Sequence, residues 1–238
     1  MAQTRSVKGD IQANIDRHRT IIDQAVSIGA EIIVFPELSL TGYQSALARE
    51  LAVDREDSRF DDFQKISDTR KVTIGVGAPI KSDTGIYIGM LVFQPGRPRL
   101  LYLKQYLHPG EEAFFISGGK STGSIGENPK AALAICYEML VPEHAESAAA
   151  NGARIYIASV ANSANGVKQA AERSPEIADR YSMTVLVSNC IGEADGIECA
   201  GQSAVWNDQG LLVGQLDGES EGIIVFDTET QGLIKQKI

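Results

Sequence analysis

The chain has 238 residues, of which 43% are hydrophobic and 22% are charged, and its formal net charge is -9. This size and composition are typical of one large α/β domain, so a single domain is predicted over residues 1–238. The negative charge argues against nucleic-acid binding, because phosphate binding depends on clustered lysines and arginines. No apolar run reaches the roughly 20 residues that a membrane span requires. We therefore expect the partner to be a small molecule, with no nucleic acid and no membrane.

The cysteine pattern indicates free thiols. The three cysteines, Cys136, Cys190 and Cys199, form neither an even set nor a CxxC pair, and no signal sequence opens the chain. There is also no Cys/His cluster with zinc-ligand spacing. These features predict a cytoplasmic protein with reduced thiols and no metal.

The first elements in chain order are a helix and a buried strand. The apolar residues Ile11, Ile15, Ile22 and Val26 recur at helical spacing, which predicts a helix over residues 10–30. Residues 32–35 form a short β-branched run that suits a strand covered on both faces. Residues 1–4 leave little room for a strand ahead of the helix, so the first strand is expected to be truncated.

The rest of the chain alternates between strand and helix patterns. Apolar and β-branched runs predict strands at residues 72–78, 86–93, 132–135, 154–158, 185–188, 203–206 and 223–226. Helical patterns surround Phe60, Phe63 and Ile66, and occupy residues 142–151 and 175–183, each of the last two with a proline at its start. This alternation predicts a layered α/β fold.

Three polar residues each follow an apolar run. Cys136 follows residues 131–135, Glu37 follows residues 32–35, and Lys104 follows residues 100–103. A side chain at the carboxyl end of a strand points into the crevice where α/β folds bind ligands. There, a buried carboxylate could take a thiol proton and an ammonium could stabilise an oxyanion. Taken singly, each has a simpler interpretation: a core cysteine, a solvated loop acid and a surface lysine.

The order of the motifs favours the catalytic interpretation. Three segments carry it: Phe35-Pro36-Glu37-Leu38 with Leu40-Thr41-Gly42-Tyr43, then Lys104 ahead of Leu107-His108-Pro109-Gly110-Glu111-Glu112, then Ile135-Cys136-Tyr137-Glu138 with Pro142-Glu143. In this order, and across almost the whole chain, they resemble the nitrilase superfamily of carbon-nitrogen hydrolases. The resemblance implies a four-layer α-β-β-α sandwich that assembles as a homodimer or a higher even homo-oligomer.

The resemblance also implies four site residues. In that family a cysteine is the nucleophile, a glutamate is the general base, a lysine stabilises the tetrahedral intermediate and a second glutamate positions lysine and substrate. These roles fall on Cys136, Glu37, Lys104 and one member of the Glu111-Glu112 pair. Glu112 is predicted to be the second glutamate, because its distances from Lys104 and Cys136 resemble the spacing in family amidases, and Glu111 stays open as the alternative.

Three further residues are candidates for substrate binding. The main-chain N–H of Tyr137 follows the nucleophile and could hold an oxyanion. The family often carries an aromatic residue after the next strand, but residues 158–162 contain none, so Ala161 and Asn162 are expected to form a small or polar pocket wall. This departure leaves the specific substrate open.

The function implied is hydrolysis of a non-peptide C–N bond of a small amide through a cysteine thioester, with no cofactor. The alternatives are an N-acyltransferase or a nitrilase that uses the same site, or a catalytically silent binding module with this fold. A papain-like dyad of Cys136 with His108 or His144 is a weaker alternative.

Overall fold

The computed structural model describes residues 1–120, 123–126 and 130–238. Its α-helices are α1 (Ile11–Ser27), α2 (Ala48–Leu51), α3 (Asp61–Arg70), α4 (Pro142–Ala150) and α5 (Ala164–Tyr181). Its strands are β1 (Ala2–Gln3), β2 (Ile32–Val34), β3 (Thr73–Lys81), β4 (Ile86–Phe93), β5 (Leu100–Leu103), β6 (Ser124–Ile125), β7 (Ala131–Ile135), β8 (Ile155–Val160), β9 (Thr184–Asn189), β10 (Ile191–Ala194), β11 (Ile197–Ala200), β12 (Ala204–Trp206), β13 (Leu212–Gln215), β14 (Gly222–Phe226) and β15 (Leu233–Lys237).

Two larger sheets carry the fold. One has the strand order β2-β3-β4-β5 and the other has the order β13-β12-β9-β8-β7-β6. In the first sheet β2 and β3 are parallel, and β4 is antiparallel to both β3 and β5. In the second sheet β7, β8 and β9 are parallel. Two smaller sheets, β1-β14-β15 and the hairpin β10-β11, lie beside them.

Three apolar layers hold these elements together. In the first, α1 and α3 pack on one face of the four-stranded sheet through residues such as Ile22 and Phe63. In the second, the two larger sheets face each other, with Met90 from one and Leu133 from the other. In the third, α4 and α5 cover the outer face of the six-stranded sheet, where Ile177 is fully buried. The order helix, sheet, sheet, helix confirms the predicted four-layer α-β-β-α sandwich.

The first strand is short but present. β1 pairs with β14, with Ala2 opposite Ile223. The amino group of Met1 donates a hydrogen bond of 2.6 Å to the carbonyl oxygen of Ile224. The truncation expected from residues 1–4 therefore leaves a two-residue strand that still joins the edge of the β14-β15 hairpin.

The predicted start of the last helix is wrong. Helix α5 begins at Ala164, where Ser163 caps it by accepting a hydrogen bond from the main-chain nitrogen of Gly166, and Pro175 lies inside the helix. A proline inside a helix removes one main-chain hydrogen bond. Here the buried face of α5, which includes Ala170 and Ile177, packs on the six-stranded sheet and offsets that loss. In the part of the chain that the structure describes, no helix is long and apolar enough to cross a membrane.

Candidate active site

Residues that follow β2, β5 and β7 meet at one end of the sandwich. Because β2 is parallel to β3, and β4 reverses direction between β3 and β5, the strands β2 and β5 end on the same side. Glu37 comes shortly after β2 and Lys104 comes directly after β5. Lys104 Nζ lies 2.8 Å from Glu37 Oε1. Two of the predicted site residues are thus in contact although they are 67 positions apart in sequence.

A tight turn after β2 fixes Glu37. The next residue, Leu38, has a φ of 51°, in the left-handed region. A Cβ atom on Gly77 of β3 would lie 2.4 Å from the main-chain nitrogen of Leu38, so only glycine lets β3 pass this close to the turn. The main-chain nitrogen of Leu40 donates to the oxygen of Gly77 at 2.9 Å and holds the turn against β3.

Lys104 is fully buried between two carboxylates. Its Nζ donates to Glu37 Oε1 at 2.8 Å and to Glu111 Oε1 at 2.7 Å, and its side chain is 0% exposed. Burial alone would lower the pKa of Lys104, but the charges of Glu37 and Glu111 and the hydrogen bond to Glu111 outweigh it and raise that pKa above its usual value. Lys104 therefore keeps its positive charge at neutral pH.

Glu111, and not Glu112, is the second acid beside the lysine. Glu111 Oε1 accepts hydrogen bonds from Lys104 Nζ and from the Tyr43 hydroxyl, and its Oε2 accepts one of 2.7 Å from the main-chain nitrogen of His108. Glu112 is exposed, and its carboxylate accepts a hydrogen bond from the main-chain nitrogen of Gly110.

The position predicted for Glu112 is therefore corrected to Glu111. Both residues lie in one 3-10 turn, Glu111–Ala113. Successive side chains in such a turn point about 120° apart, so that one of the pair faces the cavity and the other faces solvent. A spacing counted along the chain does not tell the two apart.

Glu37 has one oxygen without a partner. Its side chain is buried, and Oε2 has no hydrogen-bond partner among the residues that the structure describes. Burial raises the pKa of Glu37, Lys104 opposes this change, and the negative charge of Glu111 adds to it. An unpaired carboxylate oxygen with a raised pKa is suited to accept a proton.

Cys136 stands in a strained turn directly after β7. It begins the 3-10 turn Cys136–Leu140 with a φ of 48°, which is uncommon for a residue other than glycine and occurs often at functional sites. Its Sγ lies 3.7 Å from Asn162 Oδ1. Burial and the charge of Glu37 raise the pKa of the Cys136 thiol, whereas Lys104 and a main-chain hydrogen bond with Ala161 lower it. The resting thiol is protonated, so its reaction as a nucleophile requires a base.

A cavity of about 380 Å³ opens onto Cys136. This volume falls in the range of small-molecule sites. All three predicted substrate-binding residues line it: Tyr137, Ala161 and Asn162. Its other walls include Tyr43, His108, Phe114 and the β10-β11 hairpin residues Ala194, Asp195 and Ile197.

Asn162 is held in place by a neighbouring asparagine. Its main-chain nitrogen donates to Asn189 Oδ1 at 2.7 Å, and Asn189 Nδ2 donates to the Asn162 oxygen at 3.1 Å. A Cβ atom on Gly166 of α5 would lie 2.8 Å from Asn162 Oδ1, so the small residue in the helix leaves room for the Asn162 side chain. The wall after β8 is small and polar, as the missing aromatic predicts.

The two histidines considered for a dyad have other partners. His144 Nδ1 lies 2.8 Å from the Tyr156 hydroxyl, and His144 Nε2 lies 2.9 Å from the Tyr102 hydroxyl, so neither ring nitrogen serves Cys136. His108 Nδ1 lies 3.0 Å from the oxygen of Pro109. Among the described residues, no group of three or more His, Cys, Asp and Glu side chains is placed to hold a metal ion.

Sequence reasoning missed Tyr43 and the hairpin wall. Tyr43 stands in the motif that follows Glu37, but no spacing signal assigns its hydroxyl to Glu111. The strands of the β10-β11 hairpin carry few β-branched residues, so their sequences do not indicate strands. The Asp195-Gly196 pair is typical of a hairpin turn and could have located it, and both residues have a positive φ there.

Comparison with known proteins settles the family, since the family model for carbon-nitrogen hydrolase matches residues 1–236. The chain belongs to the carbon-nitrogen hydrolase family. Nitrilase 1 of Arabidopsis thaliana is 25% identical in an alignment of 283 residues, gaps included, that covers 100% of this chain and 80% of that protein. The glutamine-dependent NAD(+) synthetase of Rhodobacter capsulatus is 24% identical over 238 residues, and the match covers 96% of this chain but 43% of the synthetase.

Solved carbon-nitrogen hydrolase structures share the fold. A crystal structure of an amidase from Nesterenkonia sp. matches with a TM-score of 0.83 and 22% identity, covering 100% of this chain and 88% of the amidase chain. A mutant of an amidase from Nesterenkonia AN1, described as a member of the nitrilase superfamily, also matches with a TM-score of 0.83 over 92% of this chain. The resemblance to the nitrilase superfamily and its sandwich fold is confirmed.

Proposed function

We propose that this protein is an amidase-like hydrolase that cleaves the C–N bond of a small amide, with Cys136 as the nucleophile. The observation that carries the proposal is the group of buried charges beside Glu111 and Cys136, two residues that line the cavity. Lys104 is buried in contact with Glu37 and Glu111, while Glu37 keeps one unpartnered oxygen and acts electrostatically on the Cys136 thiol. Burying this many charges costs stability, and such arrangements cluster at functional sites.

The first half-reaction forms a thioester. Glu37 takes the proton of the Cys136 thiol as Sγ attacks the amide carbon, and the carbonyl oxygen becomes an oxyanion. Lys104 and the main-chain N–H of Tyr137 stabilise that oxyanion. When the tetrahedral intermediate collapses, the C–N bond breaks, and Glu37 returns the proton to the departing ammonia or amine.

The second half-reaction releases the acid. A water molecule gives a proton to Glu37 and attacks the thioester carbon, and the resulting intermediate expels the Cys136 sulfur. Glu37 then returns its proton to the sulfur, which restores the resting thiol. Glu111 holds Lys104 throughout by its hydrogen bond of 2.7 Å. The raised pKa of Glu37 lowers the cost of taking a proton from the thiol, because it brings the carboxylate closer to the thiolate in basicity.

Relatives support a small substrate. One structure of the Nesterenkonia sp. AN1 amidase is a complex with butyramide, and another carries the acetamide moiety of fluoroacetamide on its active-site cysteine. A cavity of about 380 Å³ accommodates ligands of this size. A nitrile is the second candidate substrate, favoured by the match to Nitrilase 1, since the same thiol can add to a nitrile carbon.

The test is a screen of ammonia release. The panel contains short aliphatic amides, ω-amides, carbamoyl compounds and nitriles, with hydroxylamine added in parallel to detect acyl transfer. We expect wild type to hydrolyse an amide and Cys136→Ala to be folded but inactive. Cys190→Ala is the matched control, because Cys190 is another partly buried free cysteine and should leave turnover unchanged. Turnover of nitriles alone would favour the nitrilase, and the absence of both turnover and any acyl adduct would favour a binding module.

A further inference from the structure

A third buried glutamate bridges the two loops that carry Lys104 and Cys136. Glu138 is fully buried. Its Oε1 accepts a hydrogen bond of 2.5 Å from the main-chain nitrogen of Gln105, which follows Lys104. Its Oε2 accepts one of 2.7 Å from the main-chain nitrogen of Ile135, which precedes Cys136. One carboxylate therefore joins the residue next to the proposed oxyanion-stabilising lysine to the residue next to the proposed nucleophile.

The bridge spans the two larger sheets. Gln105 lies just beyond β5 of the four-stranded sheet, and Ile135 ends β7 of the six-stranded sheet. The two sheets also meet through apolar side chains and through hydrogen bonds that the Ser159 and Ser188 hydroxyls donate to main-chain oxygens at the end of β2. Charge-assisted hydrogen bonds to main-chain amides are short and directional, so they fix one loop relative to the other.

We propose that Glu138 is a positioning residue that sets the placement of the Lys104 ammonium relative to the Cys136 thiol. This inference rests on the proposed function, because it assigns to Glu138 the geometry of that same site. Glu138 does not line the cavity, and both of its oxygens accept hydrogen bonds from the Gln105 and Ile135 main chain and from Tyr102, so it acts through the main chain. Its contribution therefore belongs to the chemical step more than to substrate binding.

The side chains around Glu138 form a hydrogen-bond network in which the Glu138 carboxylate is ionised and accepts every hydrogen bond. The Tyr102 hydroxyl donates to Glu138 Oε2 at 2.6 Å and accepts from Gln105 Nε2 at 3.1 Å. Since its single hydrogen is used, His144 Nε2 is the donor in the contact of 2.9 Å with Tyr102, and His144 Nδ1 accepts from Tyr156. Burial lowers the pKa of His144 to about 4, so the ring is neutral, as this tautomer requires.

A glutamine at this position cannot reproduce both bridges. Burial raises the pKa of Glu138 to about 7, and hydrogen bonds from Tyr102, Gln105 and Ile135 oppose that change. In Glu138→Gln one oxygen becomes an NH2 group, which meets either the Gln105 or the Ile135 N–H donor. One bridging hydrogen bond is replaced by a donor facing a donor, and the two loops lose their fixed separation.

The experiment compares Glu138→Gln with Glu143→Gln, an exposed glutamate at the start of α4. Two quantities are measured: kcat and KM for the best amide of the screen, and the rate at which iodoacetamide alkylates Cys136 at pH 7.5. We expect Glu138→Gln to lower kcat by at least 30-fold with KM within threefold (about 2 kcal/mol in the chemical step), and to slow alkylation by at least tenfold. Glu143→Gln should change neither quantity by more than twofold.

A second Glu138 variant and an assay that needs no substrate test the positioning role even if Glu138→Gln is unfolded or no amide is turned over. If Glu138→Gln does not fold by circular dichroism, Glu138→Asp takes its place, because its shorter carboxylate does not reach both amides and the same losses are expected. Alkylation needs no amide substrate, so a wild type that turns over no amide counts against the proposed function while the alkylation rates still test Glu138. A folded Glu138 variant with lowered thermal stability but wild-type kcat and alkylation would assign Glu138 a structural role and overturn the inference.

Discussion

Replacing Glu111 by glutamine tests the arrangement around Lys104. Glu111 accepts three hydrogen bonds, including one of 2.7 Å from the buried ammonium. Glutamine offers one acceptor oxygen, so at least one of these bonds is lost and an NH2 group meets a donor. A hydrogen bond to a charged group contributes about 1.5 to 3 kcal/mol. If that contribution acts on the transition state, kcat/KM falls by about 10- to 150-fold.

The neighbouring acid provides a matched control. Glu112 is exposed and accepts a hydrogen bond from Gly110, so Glu112→Gln should leave kcat/KM within about twofold of wild type. Both variants are assayed for kcat/KM on the same amide, and thermal unfolding checks that each is folded. Both are expected to fold, because Lys104 keeps its ion pair with Glu37 in each of them. A loss in Glu112→Gln equal to that in Glu111→Gln, or a Glu111→Gln enzyme within threefold of wild type, would show that the contact of Glu111 with Lys104 does not support catalysis.

Three further changes probe the base, its turn and a buried histidine. Glu37→Gln removes the proton acceptor and should lower kcat by at least about 100-fold at every pH from 6 to 9, and near-wild-type rates would count against Glu37 as base. Gly77→Ala would place a Cβ atom 2.4 Å from the Leu38 nitrogen, so both the melting temperature and kcat should fall, and an unchanged kcat would show that the turn tolerates the shift. Burial lowers the pKa of His18 to about 3 from 6.5, so its stabilising contribution is present above pH 6.5 and is lost as the pH falls toward 3. The free energy of unfolding of wild type, measured with urea, should therefore fall by about 3 kcal/mol more than that of His18→Gln between pH 7.5 and pH 4.5. Equal decreases in the two proteins would show that His18 is not buried in its neutral form.

The sequence predicts the layers and the ends of their strands well. Buried strands are continuous apolar runs, so residues 32–35 and 86–93 are recognisable without any partner. Strand direction brings Glu37 and Lys104, which follow such runs, to the same end of the four-stranded sheet. Cys136, which follows β7, lines the same cavity as Glu111, the second partner of Lys104. What made the prediction specific was the ordered set of motifs, since each residue alone has an ordinary structural interpretation.

Features that depend on tertiary packing were not predictable. Glu111 and Glu112 are adjacent and chemically equal, and only the orientation of the 3-10 turn assigns one of them to Lys104. Pro175 is a normal first residue of a helix, but packing of α5 on the six-stranded sheet extends the helix past it toward Ala164. Glu138 joins the main chain of Gln105 to that of Ile135, far along the sequence, a relation that no local pattern reports.

Intact-protein mass spectrometry of wild type, quenched with acid during turnover of the best amide, shows whether Cys136 carries the acyl group of the substrate. We predict a mass increase equal to the acyl group in place of one hydrogen, located by peptide mapping on Cys136 and absent from Cys136→Ala. Turnover without any adduct on Cys136, or an adduct on Cys190 or Cys199 in its place, would show that Cys136 is not the nucleophile.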